Sequence, residues 1–518
     1  GSVLIIAYHP PFVQRFLNNI PSGVRVPLFY AEVDNSMANT AATGLKTLLI
    51  GRMTQGKATP MRPVLVTGDS QGKDLFGRGS ELARMNTVYR KNDTIGEVWA
   101  IPLEDPTAGT AASGTVTISG TPSVGGILSL YIGADRVQVP VGVENEPSEI
   151  AEAAAAAINA KPDLPVTAAA SKSQDDAEVE EGYVTISAKN KGANGNDIKL
   201  AVNVQGYGAG EETPEGLAVK IDAMAGGTGY PDFEALDFAK AMGDEAYDFI
   251  LLPYSDVSSL DYFKEVMNDT SGRWSYSKQV YGHVYTCKRG TINELQIFGS
   301  ARNDQHATII GVEPDVPSMA VEVLAAYGAQ NAAKISIDPA RPTQTLELIG
   351  ITSAPYGKRF VMEERQILLN NGIATQYTEA GYMRVERAIT TYQKNRFGDA
   401  DNSYLDSETL HTLAYILRAL RTRITSKYPR HKLASDGTRF GAGQAVVTPS
   451  IIRGEIISLY KQLEDKAIVE NTALFAKYLI VERNKDDPNR VDVLLPPDLV
   501  NQLRIFAVLA QFRLQFNE

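Results

Sequence analysis

The chain has 518 residues, 43% hydrophobic and 21% charged, with 43 Gly and 26 Pro; that length makes about three or four domains, and the composition excludes a disordered chain. Lys plus Arg number 50 against 61 Asp plus Glu, a formal charge of −11, which is the wrong sign for a dedicated binder of duplex DNA. The single Cys287 excludes an internal disulfide framework and a multi-cysteine metal cage, and five His leave little for a His-built one. No apolar run approaches the about 20 residues that span a bilayer. Residues 3–7 are too short and lack the basic flank of a signal peptide, so the expectation is a soluble protein made in a reducing cytoplasm.

Up to about residue 30 the chain reads as extended. Pro10, Pro11, Pro21 and Pro27 forbid a continuous helix. Val24, Val26 and Leu28 alternate with Gly23, Arg25 and Pro27, as in an edge strand or arm. A strand is predicted over 46–50, then a helix that Ser80 caps and that presents Leu82, Met85 and Tyr89, then a strand over 97–101. Composition shifts to Pro, Ala, Gly, Ser and Thr between 106 and 114, and to Gly at 225–229. Between these hinges the pattern is strands at 115–118, 128–132, 183–186 and 198–202 with one Ala-rich helix over 148–160, an inserted β-rich α+β domain spanning 110–228. Its acidic stretch, Asp175, Asp176, Glu178, Glu180 and Glu181, reads as a solvated loop. Beyond it, helices near 232–242, 258–267 and 318–333 alternate with strands over 248–252, 279–286 and 307–311, a parallel or mixed sheet flanked by helices. Two long helices follow, 407–428 and 450–466. The chain ends in an alternating strand with Phe506, Val508, Ala510, Phe512, Leu514 and Phe516 on one face and no later element to pair with.

The fold class is therefore α/β and α+β, multidomain: a mixed-sheet core with flanking helices, an inserted β-rich domain, and extended N- and C-terminal arms. The expected divisions are 1–30, 31–109, 110–228, 229–345, 346–503 and 504–518.

Two motifs tempt an enzymatic reading. The run from Gly51 to Ala58 follows a strand and nearly spells a phosphate-binding loop, but Ala58 lacks the hydroxyl that holds magnesium and Pro60 breaks the helix that should follow. The run from Gly68 to Gly72 matches the G-x-S-x-G elbow with Ser70 as nucleophile. Gly72, Gly77 and Gly79 are expected to interrupt the helix the elbow needs, leaving a turn in which Asp69 and Ser70 bond local backbone. Cys287 reads as a buried strand residue rather than a nucleophile. The strongest charge feature is the basic stripe Arg418, Arg421, Arg423, Lys427, Arg430 and Lys432, with His431 among them. Leu413, Ile416, Leu417 and Leu420 supply the apolar face of the same helix. Three readings stand: a solvated face with intramolecular ion pairs, a docking surface for an acidic partner, and nucleic-acid contact, which lacks the interleaved aromatics it would need.

Taken in order, a set of short stretches resembles the tail sheath proteins of contractile-tailed phages, in particular the Mu-like branch. They are I-P-S-G-V-R-V-P-L at 20–28 with D-N-S at 34–36, L-F-G-R-G-S at 75–80, D-P-A-R-P at 338–342 with Q-T-L at 344–346, and E-R-A-I-T-T-Y at 386–392. P-R-H-K-L-A at 429–434, L-I-V-E-R at 479–483, D-P-N-R-V at 487–491 and P-P-D-L-V-N-Q at 496–502 complete the set. The first 19 residues do not match the family's start, and the resemblance carries nothing onto them. The resemblance implies a structural subunit with no catalytic activity and no cofactor, stacked with copies of itself as hexameric rings around a tail tube protein. Contraction then drives the tube through the host envelope. It implies baseplate and tail terminator proteins at the ends, no nucleic acid, no direct membrane insertion, assembly in the host bacterial cytoplasm and residence in the virion. It also implies arms that complete sheets of neighbouring subunits, placed at Val24, Val26 and Leu28 and at Phe506, Val508, Phe512, Leu514 and Phe516. The basic stripe (Arg418, Arg421, Arg423, Lys427 and Arg430) is expected to face the tube, with helix 450–466 as the second choice. The rival readings are the sheath of a non-phage contractile injection system and a serine hydrolase using Ser70.

Overall fold

The computed structural model describes residues 3–8, 44–275 and 277–495. The arm strand expected at Val24, Val26 and Leu28 and the terminal strand expected from Phe506 to Phe516 lie outside the described residues. The chain divides into two compact units, one of residues 1–34, 338–342 and 415–518, the other of 35–337 and 343–414. Strand β1 (Val3–Tyr8) opens the chain and belongs to the smaller unit.

The larger unit is built on an eight-stranded sheet. It starts with β2 (Lys46–Arg52), β3 (Val64–Val66) and β4 (Glu97–Leu103). The next seven strands form a separate excursion: β5 (Ala111–Gly120), β6 (Gly126–Ile132), β7 (Asp135–Val141), β8 (Val166–Lys172), β9 (Glu181–Lys191), β10 (Leu200–Val202) and β11 (Leu217–Ala225). The sheet resumes with β12 (Phe249–Leu251), β13 (His283–Arg289), β14 (Ala307–Val312), β15 (Ile373–Glu379) and β16 (Tyr382–Arg387). Its order is β16-β15-β14-β13-β12-β2-β4-β3. Pairing is parallel from β4 through β2, β12, β13 and β14 to β15, and antiparallel at the two edges. Along β2, Leu49 joins one apolar core while Leu48 and Ile50 join the other, so the strand is covered on both faces, as parallel strands require. Helices Glu81–Asn92 and Ala320–Ile335 pack together over the first face. Phe238, Leu260, Phe263 and Leu295, from three helices, fill the second.

The excursion between Thr110 and Thr228 holds a four-stranded antiparallel sheet, β11-β5-β9-β8, and a three-stranded one, β10-β6-β7. Helix Pro147–Asn159 lays Ile150, Ala154 and Ile158 into their common core. Thr110 and Thr228 exchange backbone hydrogen bonds of 3.2 and 3.1 Å, and their hydroxyls meet at 2.6 Å, so the chain leaves and re-enters the α/β sheet at one point. Asp175, Asp176, Glu178 and Glu180 lie exposed in the turn before β9, and Glu181 opens that strand.

Three local expectations need correction. The helix expected over 232–242 is only Phe238–Met242, because Asp237 before it adopts φ 50°. The strand expected from 279 starts at His283, since Gln279, Tyr281 and Gly282 all have positive φ. Gly72 does not interrupt a helix: Asp69–Phe76 runs through it, and a Cβ there would fall 2.3 Å from the Asn86 amide nitrogen of the next helix.

Candidate assembly site

The two enzyme-like motifs are built for packing. Ser70 is exposed in the first turn of helix Asp69–Phe76. The Asp69 carboxylate takes the Thr87 hydroxyl and the Lys73 ammonium, not the local backbone that the sequence predicts for it. The described histidines are engaged elsewhere, His283 with Thr308 at 2.7 Å, His306 with Asp269 at 2.9 Å, His411 with Tyr285 at 2.8 Å, and His431 edge-on to the Tyr428 ring. The Gly51–Ala58 run spends its amides on a helix end. Thr54, Lys57 and Ala58 N–H groups donate to the carbonyls of Phe76, Asp74 and Leu75 at 2.9, 3.0 and 2.9 Å, satisfying the carbonyls that a helix C-terminus leaves open. Cys287 is buried in β13, and burial pushes its thiol pKa up, which makes it inert.

The basic stripe belongs to the smaller unit from Tyr415 onward. Helix Ser407–Lys427 presents Ile416, Leu420 and Ile424, and helix Pro449–Asp465, capped by the Thr448 hydroxyl, answers with Ile452, Ile456, Leu459 and Leu463. Between them Glu455, 10% exposed, pairs with Arg423 at 2.8 Å and Lys427 at 2.9 Å and accepts the Tyr428 hydroxyl at 3.1 Å. Burial alone would raise the Glu455 carboxyl; the donors from Lys427, Arg423 and Tyr428 outweigh it and hold its pKa below the ordinary carboxylate value. Arg423 also donates to Gln462 at 2.5 Å. Arg423 and Lys427, both singled out from the sequence, thus bind a carboxylate of their own chain. Arg418 and Arg421 are half-buried on the same helix, and Arg430 is exposed just beyond it. Sequence reasoning missed Glu455, whose signal was only a carboxylate on the next amphipathic helix.

Beside this helix pair lies a three-stranded sheet, β1-β20-β19, with β19 (Ile480–Arg483) and β20 (Arg490–Leu495) forming a hairpin. Val491, Val493 and Leu495 of β20 face the unit's core. β1 lies parallel to β20 with Val3 opposite Arg490 and Tyr8 opposite Leu495. Residues near opposite ends of the sequence thus meet in one sheet, and β1 lies in the stretch onto which the family resemblance carried nothing. The two-stranded pair β17 (Lys432–Leu433) and β18 (Val446–Val447) completes the unit, and the Arg483 guanidinium ties it to the hairpin through the Ser435 hydroxyl at 2.9 Å and the Leu433 carbonyl.

Comparison with known proteins decides the family. A profile of the phage tail sheath C-terminal domain matches residues 399–513, and one of the phage tail sheath central domain matches 228–391. The Mu-like prophage FluMu tail sheath protein of Haemophilus influenzae is 39% identical over 499 residues, 96% of this chain and 99% of that protein. The chain belongs to the phage tail sheath family. The Mu-like resemblance drawn from the short stretches is borne out, and this sheath protein is a structural component of the phage tail. Among solved structures, a sheath tail protein of Desulfitobacterium hafniense is similar with 11% identity and a TM-score of 0.46, covering 86% of this chain and 91% of that one. One from Listeria innocua has 12% identity and a TM-score of 0.47, covering 90% and 95%.

Proposed function

We propose that this sheath protein stacks as hexameric rings around a tail tube and contracts to drive the tube through the host envelope, with no catalytic step and no cofactor. The observation that carries the reading is the sheet β1-β20-β19, in which a strand from one end of the chain completes a hairpin from the other. The edge of β20 that takes β1 offers the same backbone donors and acceptors to the corresponding strand of a neighbour. Strand donation of that kind is heterologous, so it builds a ring where the rotation closes and an open helix where it does not. The segments around Val24, Val26 and Leu28 and around Phe506, Val508, Phe512, Leu514 and Phe516 are proposed as the arms that reach neighbours. Backbone pairing through such arms lets subunits rotate without dissociating, as a shortening lattice demands.

The proposed partner of the stripe (Arg418, Arg421, Arg423, Lys427 and Arg430) is an acidic tube surface. Charge is unevenly shared in support of this: the smaller unit has 19 Lys and Arg against 14 Asp and Glu, and the larger 31 against 47. Baseplate and terminator proteins would cap the ends, assembly would take place in the host cytoplasm, and neither nucleic acid nor membrane insertion is involved. The energy of contraction is then stored at assembly, the extended sheath being kinetically trapped. Removal of residues 505–518 is expected to leave monomers by light scattering, while the full chain gives striated tubes in electron micrographs. Normal tubes from the truncated chain would rule out the C-terminal arm as linker.

A further inference from the structure

The strand order β4-β2-β12-β13-β14-β15 reverses direction at β2. In open parallel sheets of this order, ligands lie in the crevice beyond the carboxyl ends of the two strands at that reversal, here β2 and β12, with anions at the N-terminus of the adjoining helix. That crevice is occupied by the chain itself. The Asn190 side chain accepts from the Glu81 N–H at 2.8 Å and donates to the Met53 carbonyl at 3.0 Å and to Asp105 at 3.1 Å. The Asn194 side chain donates to Glu81 Oε2 at 2.8 Å and to the Pro253 carbonyl at 2.9 Å. Buried Arg52, at the end of β2, donates to the Lys191 carbonyl, and buried Tyr254, just past β12, donates to Glu81 Oε1 at 2.5 Å. Gly192 makes the fit possible, since its φ is 111° and a Cβ there would lie 2.1 Å from the Arg52 guanidinium. The N-terminal amides of helix Glu81–Asn92 that an anion would use are taken by Ser80 and Asn190.

Two further ties lie nearby. Asp197 pairs with Arg289 at 2.6 Å and accepts the Ala320 N–H at 2.7 Å, at the start of helix Ala320–Ile335. Arg84 bonds Asp135 at 2.7 Å and the Asp163 carbonyl at 2.8 Å on one side and Glu322 at 2.5 Å on the other. Asn190, Asn194, Asp197, Asp135 and Asp163 all belong to the inserted segment. Flexible surface ornaments do not fill a core crevice with oriented amides, because each buried amide left unpaired costs free energy.

We infer that residues 190–197 plug the ligand crevice of the α/β sheet and lock the insertion and that sheet into one rigid body. A force on the insertion is then delivered to the sheet with no hinge between them. Hydrogen exchange by mass spectrometry on the full-length chain tests this. In the wild type, amides of β5 and β9 should reach the same opening free energy as those of β12 to β14 as denaturant is raised. In an Asn190→Ala/Asn194→Ala variant, insertion amides should exchange at least about tenfold faster while β13 and β14 keep their protection. Wild-type insertion amides that open well before the sheet would overturn the inference, whatever the variant's solubility, and so would a folded variant with unaltered exchange.

Discussion

His283 and His306 are buried side by side, with the Val284 N–H bonding the His306 carbonyl, yet their environments pull their titrations in opposite directions. Burial holds His283 well below its ordinary pKa, and the charges of His411 and His306 push the same way. Burial also opposes charge on His306, but Asp269 at 2.9 Å outweighs it and raises the pKa. By linkage, His283 costs stability as pH falls past 6.5, the value of the unfolded chain. His306 contributes stability that is complete below that value and lost as pH rises through its higher folded value. The wild type is therefore partly compensated in mild acid. His306→Asn is expected to lose about 1 kcal/mol more than the wild type between about pH 7 and pH 5, read from urea midpoints. Parallel midpoint profiles would exclude the Asp269 pair from acid stability.

At the scale of elements, helix ends and glycines decide much of the packing. Gly56 sits where a Cβ would lie 2.3 Å from the Leu75 carbonyl oxygen, a backbone atom that cannot swing aside. Gly56→Ala should push the loop off the end of helix Asp69–Phe76, break the hydrogen bonds of Lys57 and Ala58, and cost about 1–3 kcal/mol in thermal or chemical unfolding. An unchanged melting point would show that the loop is not fixed there. Caps and alternation made many elements legible in the sequence: Ser80 does cap its helix through the Ala83 N–H at 3.1 Å, and β2, β4, β12 and β14 read as apolar runs because both faces are covered. The strands β7, β8 and β11, each a sheet edge, escaped sequence reading, as did the interior strand β15. β8 carries a run of three Ala and is largely solvent-facing, and β7 contains Pro140, which an edge tolerates. Of the candidate site, the cations were legible. Their partner was not, since nothing in the sequence assigns Glu455 to Arg423 and Lys427 until the two helices are packed.

For the molecule as a whole, charge distribution matters more than net charge. The −11 of the chain is +5 on the smaller unit and −16 on the larger, so the two units carry net charge of opposite sign. Arg430→Glu changes an exposed cation outside the Glu455 pair, and it is expected to weaken assembly on the tube about tenfold at low salt, less at high salt, with the fold intact. Assembly on the tube that is indifferent to this reversal would leave the stripe as an intramolecular feature. The pairing of Thr110 with Thr228 gives the chain a further property. A segment that starts and stops between two residues already bonded to each other can be exchanged like a cassette without shifting the register of β4 or β12. The exchange is not free, however. Whatever replaces residues 111–227 must bring its own counterparts of Asn190, Asn194 and Asp197, or leave Glu81, Arg52 and Arg289 each short of a partner. Variation at this site is open in length and outer surface, and closed at the few positions that face inward.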